Sequence, residues 1–248
     1  MEEITSLKNP RIALWRGLKQ TKTRRETGLF VVEGDKSVLE ALESGFEAEA
    51  VLLDSARPVP ALPSGLPMVR VPDHVLAAVC DTKTPQGIAA VMRMKATPVT
   101  GRRLVALDGV QDPGNVGTIL RTADAAGLDG VLLSQDCADP YSPKVLRATM
   151  GSIFHVPAEV TPSLPDALRE RQAAGLEVLS SQLDGAPFDD YRPTEKGFVL
   201  VIGSEGSGVS EAVRALSDRR LRLPMRGRAE SLNAAVAAGI MMYSLTRE

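Results

Sequence analysis

The sequence predicts an α/β fold in two parts, a small α/β unit followed by a larger α/β domain built on a mostly parallel sheet. Three observations predict it. From residue 104 onwards, strand-like and helix-like segments alternate strictly. The strand-like segments, such as LVALDGV (104–110) and FVLVIG (198–203), are continuous apolar runs, the pattern of strands covered on both faces. RMKATPVTGRR (93–103) loses periodicity and gains Thr, Pro and Gly, which marks a boundary between a first domain over 1–96 and a second over 103–248.

In the first domain, residues 10–20 have the pattern of a short basic helix. LFVVEG (29–34) is a strand and turn, and residues 35–45 carry helical spacing at Val38, Leu39 and Leu42 before Gly45 ends it. AVLLD (50–54), MVRV (68–71) and GIAAVMRM (87–94) are strands, with a helix from Asp73 to Cys80. In the second domain, strands are expected at 104–110, 131–134, 153–157, 176–181, 198–203 and 220–224. Helices are expected at 114–126, 142–150, 163–174, 209–217 and from Leu232 to Leu245.

Composition bounds the function. A chain of 248 residues that is 44% hydrophobic and 24% charged has an ordinary globular balance. No run reaches the roughly 18 apolar residues of a membrane-spanning helix, and MEEITSLKNPR lacks the apolar core of a secretory signal. The expected location is the cytoplasm. Two cysteines and two histidines offer no zinc constellation, so Cys80 and Cys137 read as buried thiols in a reducing compartment and no metal is expected. Net charge is −2, yet seven basic residues and no acid lie between Thr5 and Arg25, and a second basic run spans Arg219, Arg220, Arg222, Arg226 and Arg228. Such patches on a neutral body fit a polyanion.

Ligands of open parallel sheets sit beyond the carboxyl ends of strands, so three loops carry the argument. DPGNVGTILRTADAAG (112–127) opens a helix that Asp112 or Asn115 can cap. Val116, Ile119, Leu120 and Ala123 form its buried stripe, and Arg121 lies well off it. Arg121 is either an exposed arginine partnered with Asp124 or Glu205, or a group aimed at a phosphate or developing oxyanion. GSEGSGVS (203–210) has three glycines in six residues. Its G-x-x-G-x-G spacing matches neither a dinucleotide fingerprint nor a P-loop, which removes the basis for a nucleotide-dependent oxidoreductase. Glu205 in that loop holds a neighbouring arginine or is a solvated turn residue. In LPMRGRAESLN (223–233), Ser231 is a natural helix N-cap, whereas Asn233 bonds either loop backbone or a ligand.

Together these residues resemble the SpoU/TrmH family of RNA ribose 2′-O-methyltransferases, within the SPOUT superfamily. Asn115-x-Gly117-x-x-x-Arg121 is similar to its first motif, Gly203-x-Glu205-x-x-Gly208 to its second, and Leu223-Pro224-Met225-x-Gly227 with Ser231-Leu232-Asn233 to its third. ITSLKNPRI and GLFVVEG resemble the small α/β substrate-binding domain that often precedes the catalytic one. The resemblance implies a C-terminal SPOUT domain with a deep trefoil knot, through which the last helix is threaded. It implies S-adenosylmethionine as methyl donor, contacted by Gly203, Leu223, Met225 and Leu232, and a homodimer formed through the C-terminal helix. It also implies catalytic roles for Asn115, Arg121, Glu205, Ser231 and Asn233.

Arg121 is the base in proposals made for the family. A guanidinium is effectively always protonated, so orienting a phosphate and stabilising a forming alkoxide suits it better. The RNA would be held by Lys22, Arg24, Arg25, Arg226 and Arg228. The added N-terminal domain, and a chain that stops just after the last helix, favour ribosomal RNA over tRNA. A non-catalytic RNA-binding protein on the same fold is the reading of another class, against which the complete motif set argues.

Overall fold

The computed structural model describes residues 1–192 and 194–247. It divides into two compact units, Met1–Ala96 with Tyr141–Phe154, and Thr97–Pro140 with His155–Glu248.

The first unit holds β1 (Glu2–Glu3), α1 (Pro10–Gly17), α2 (Thr21–Thr27), β2 (Leu29–Glu33), α3 (Asp35–Glu43), β3 (Ala48–Asp54), β4 (Met68–Val71), α4 (Asp73–Val79) and β5 (Ile88–Arg93). Its sheet runs β1-β4-β3-β5-β2, with β5 antiparallel to both of its neighbours. α1 starts where Asn9 accepts the Arg11 amide and Pro10 fixes the first turn. Ile12, Trp15 and Leu18 bury against Val75, Leu76 and the β-strand valines. α2, which the apolar spacing did not reveal, has a single buried residue, Arg24, and ends at Gly28 in the left-handed region.

In the second unit, β6 (Arg103–Asp108), α5 (Pro113–Ala125) and β7 (Gly130–Leu133) form the first alternation. Next along the chain come α6 (Pro143–Thr149) and a 3-10 turn at Ser152–Phe154, which belong to the first unit. The second unit resumes with β8 (Ala158–Val160), α7 (Leu164–Ala173), β9 (Glu177–Pro187), a 3-10 turn at Phe188–Asp190, β10 (Phe198–Gly203), α8 (Glu211–Arg214), β11 (Arg219–Arg222) and α9 (Ala234–Leu245). All six strands are parallel, in the order β11-β9-β10-β6-β7-β8. Leu104, Ala106, Leu132, Val178, Val199 and Val201 pack with Leu164 and Leu168 of α7 into a core.

Three elements differ from the sequence reading. The strand expected at 153–157 is instead the end of a 3-10 turn, and β8 starts at Ala158. Ile153 and Phe154 are apolar because they fill the first unit's core, where Phe154 meets Phe46 edge-on at 5.3 Å. The helix expected at 209–217 shrinks to four residues in α8. β9 runs six residues beyond Ser181, through a break in its pairing with β11.

Candidate active site

The C-terminal ends of β6, β10 and β11 deliver three loops to one place. After β6, Asp112 accepts the Asn115 amide at 2.8 Å and Pro113 occupies the first turn of α5. After β10, Gly203 packs so closely on the returning chain that a Cβ there would lie 2.1 Å from the Gly208 carbonyl carbon. Ser204 and Gly208 close the loop with paired backbone bonds of 3.1 and 2.9 Å. Asp108 ties the first loop to the second by accepting the Ser210 amide at 2.7 Å. After β11, the chain runs to Asn233, whose side-chain oxygen accepts the Ala235 and Val236 amides at 2.9 and 3.2 Å. Asn233, not Ser231, is therefore the N-cap of α9. Ser231 is exposed and makes no hydrogen bond to a described residue.

Three side chains join these loops. The Asn233 amide donates to Asn115 Oδ1 at 2.9 Å, and the Asn115 amide donates to the Glu205 carboxylate. Glu205 is thus not an arginine partner but an exposed turn residue that holds Asn115. Each asparagine uses both ends of its carboxamide, so the order of donors and acceptors along the chain is fixed.

Arg121 stands outside this network. It is exposed on α5 and makes no hydrogen bond or ion pair with a described residue. Neither partner considered for it is taken up, because Asp124 faces His155 Nδ1 at 3.6 Å and Glu205 holds Asn115.

A cleft of about 650 Å³ opens beside the loops, within the range of small-molecule sites. Gly203, Leu223, Met225 and Leu232 line it, as do Glu205, Ser231 and Asn233, whereas Asn115 and Arg121 do not. The residues 181–184 and the side chains Arg214 and Arg222 also line it, and the sequence reading missed them. The signal available was Gly185-Ala186-Pro187, a chain-bending triplet just past the expected end of the strand.

The basic residues divide by burial. Lys22 is exposed, 3.9 Å from Glu26. Arg25 and Arg228 are exposed and without a partner among the described residues. Arg226 lies 3.7 Å from Asp189 with a 90% exposed side chain. Arg24 corrects the expectation of an RNA-facing cation, because it is 1% exposed. Its guanidinium donates to the Leu18 and Lys19 carbonyls at 2.7 and 3.0 Å and to the Thr21 hydroxyl at 2.9 Å, satisfying the carbonyls at the end of α1. Both cysteines are buried, and burial pushes the Cys80 thiol up to about 12. Among the described residues there is no cluster of three His, Cys, Asp or Glu that could hold a metal, and no helix long and apolar enough to cross a membrane.

A parallel sheet with its glycine loop, its asparagine bridge and a cleft at the strand ends defines a ligand-binding α/β enzyme class. The comparisons narrow it. The SpoU rRNA Methylase family matches residues 102–243, and an MRM3-like substrate binding domain matches residues 9–90. The chain belongs to the SpoU methylase family. It is 42% identical over 248 residues to the 23S rRNA (guanosine(2553)-2′-O)-methyltransferase RlmP of Bacillus subtilis (strain 168), covering 99% of each chain. The AdoMet-bound rRNA methyltransferase of Sinorhizobium meliloti superposes with a TM-score of 0.87 at 34% identity, over 98% of this chain and 96% of that one. The SpoU methyltransferase AviRb of Streptomyces viridochromogenes, in complex with AdoMet, gives 0.87 at 30% identity over 96% and 97%.

Proposed function

We propose that this protein methylates a ribose 2′-hydroxyl of ribosomal RNA, with S-adenosylmethionine as donor. The observation that carries the reading is the Glu205–Asn115–Asn233 bridge at the rim of the cleft. The relatives named as 23S rRNA 2′-O-methyltransferases and the AdoMet-bound neighbours support the substrate class and the donor.

The cleft fits the donor on its own terms. Its volume suits a nucleoside with an amino-acid arm. Gly203 lines the cleft and, lacking a Cβ, lets the 203–208 loop fold tightly on itself at its wall, while Leu223, Met225 and Leu232 offer apolar surface to a purine. When bound, the donor supplies an electrophilic methyl group on a neutral leaving thioether, so the site needs no general acid.

The demand falls on the nucleophile, which must be positioned and relieved of its proton as charge develops. Arg121, with no competing partner, orients a phosphate of the target and stabilises the forming alkoxide, whose proton passes to solvent water. Asn115 and Glu205 fix the β6 and β10 loops against each other. Asn233 sets the start of α9, and the unengaged Ser231 hydroxyl meets the ribose or the donor. Lys22, Arg25, Arg226 and Arg228 supply the phosphate contacts. Residues 1–96 recognise RNA and 103–248 carry the chemistry.

Two further features belong to this reading. α9 is threaded as a trefoil knot, supported by a chain that leaves the β11 edge of the sheet and packs its last helix on α5 and β10. The protein is a homodimer through α9, supported by the exposed Val236, Ile240 and Tyr243 at helical spacing on that helix. A cytoplasmic location belongs to the same reading, supported by the ribosomal RNA substrates named for the relatives.

Incubation with tritiated donor and total RNA from cells lacking the protein, followed by mapping of the label, tests the reading. Label at one 2′-O position of a large ribosomal RNA is expected. Label in tRNA would redirect the substrate. Absence of saturable S-adenosylhomocysteine binding in calorimetry would leave a non-catalytic RNA binder.

A further inference from the structure

β6 and β10 pair in register up to their last residues, with Asp108 opposite Gly203. There the ladder ends and the two chains part into the loops of the site. Asp108 keeps hold of the β10 chain past that point. Its carboxylate Oδ2 accepts the amide of Ser210 at 2.7 Å, seven residues beyond its ladder partner. One residue therefore meets the 203–210 loop at both ends, through the backbone at the first and the side chain at the last.

Between those ends the loop is closed on itself. Ser204 and Gly208 exchange backbone bonds, Ser204 Oγ accepts the Ser207 amide at 3.2 Å, and the two serine hydroxyls share a bond of 2.8 Å. A loop stiff within itself moves as a body about its ends, so a hold on its exit decides where its tip stands. Glu205 is at that tip, and residues 203–209 line the cleft. Asp108 is itself braced. The Gly109 amide donates to Ser134 Oγ at 2.9 Å, and the Leu107 and Val110 carbonyls accept the Ser134 and Ala138 amides at 2.9 and 3.0 Å. The loop after β7 thus pins residues 107–110, and Asp108 passes that fixed position on to the β10 loop.

We propose that Asp108 is a positioning residue for methyl transfer. By holding the Ser210 amide it sets the 203–210 loop, and through Glu205 it sets Asn115 near the start of α5. The inference rests on the proposed transfer from S-adenosylmethionine. Asp108 does not line the cleft, so it acts through the loop.

The test is steady-state methylation of the mapped RNA by the full chain, read as kcat and as KM for each substrate, beside the melting temperature. Asp108→Ala should lower kcat about 10- to 100-fold, the scale of displaced reacting groups. It should raise the donor KM about threefold, at an unchanged KM for RNA. Asp108→Asn keeps an oxygen acceptor of the same reach and should return both values to within about twofold of wild type. Ser210→Pro removes the other half of the bond, the N–H. Ser210 has a φ of −61°, which proline adopts without strain, and its side chain makes no cap bond. This variant should reproduce the Asp108→Ala defect, and the double variant should be no worse than either alone. If Asp108→Asn is as impaired as Asp108→Ala, the charge and not the Ser210 bond matters, and the proposal is overturned. Wild-type kcat in Ser210→Pro overturns it too, as does an Asp108→Ala defect that only tracks a lower folded fraction at an unchanged donor KM. A wild type that transfers no methyl group overturns the methyl-transfer reading, and the proposal with it.

Discussion

Arg121 and Arg24 show what a side chain's surroundings decide. Arg121 is exposed and uncommitted, so its removal leaves no buried group unpaired. Arg121→Ala should keep the wild-type melting temperature and lower kcat about 10²–10³-fold, the scale of losing one donor to a developing oxyanion. Arg121→Lys should recover little, since one ammonium does not replace a planar fork. Near-normal methylation of the mapped RNA by Arg121→Ala would remove it from the mechanism. Arg24 is the opposite case. Arg24→Ala leaves the Leu18 and Lys19 carbonyls unpaired and a cavity beneath α2, and should cost about 2–4 kcal/mol in denaturant unfolding. Arg25→Ala should leave stability alone and reduce the salt slope of RNA binding by about one. The basic run was legible in the sequence, but which of two adjacent arginines faces water was not, because that depends on where α1 ends. Cys80 gives a pH prediction. Its thiol resists ionisation up to about 12 in the fold against 9.0 for the ordinary group. Between those values the folded chain binds more protons than the unfolded one, so this contribution is complete below 9 and is lost as pH rises towards 12. Cys80→Ala should remove about 1 kcal/mol of the stability lost between pH 8 and 10, measured as the shift in urea midpoint.

At the scale of elements, α9 carries the sharpest prediction. Its cap residue performs two tasks, accepting the Ala235 and Val236 amides and donating to Asn115. Asn233→Ala loses both and should cost about 1–2 kcal/mol. Asn233→Asp keeps the acceptor and loses the donor, so it should unfold within about 0.5 kcal/mol of wild type yet methylate poorly. Equal activity in Asn233→Asp and wild type would reduce Asn233 to a cap. The apolar run of α9 was legible, but its start was not, since Ser231 and Asn233 are both good caps and only the position of Asn115 selects between them. The same limit explains residues 153–157. A short apolar run shows that a segment is buried, not in which unit, and Ile153 and Phe154 are buried in the first. The looping of 181–185 out of the β9–β11 ladder was invisible for a related reason. A break in register is a relation between two strands, and neither strand's own pattern carries it.

For the whole molecule, the alternation of apolar strands and helices was enough to announce a parallel sheet, because burial on both faces leaves a local mark. The strand order was not, because β11-β9-β10-β6 is set by how crossovers return. The meeting of three loops drawn from between residues 112 and 233 was legible only as a set of motifs in order. The remaining question at this scale is what covers α9. Its inner face buries Ala234, Ala235, Ala238, Met241, Met242 and Leu245, and Gly239 brings it close to Thr122 of α5. Its outer face leaves Val236, Ile240 and Tyr243 at 50%, 45% and 48% exposure, one apolar stripe two turns long. A helix apolar on both faces is one that expects a second surface, and a stripe of this kind suits a symmetric partner in which each copy presents the same residues. Ile240→Glu places a charge in the middle of that stripe without touching the inner face. It should convert a dimer to a monomer in sedimentation, at unchanged far-ultraviolet dichroism, and reduce methylation at least tenfold. A variant that stays dimeric would move the interface elsewhere. A monomer that methylates at the wild-type rate would show that each chain completes its site alone, with Arg121 and the cleft of one protomer sufficient for the chemistry.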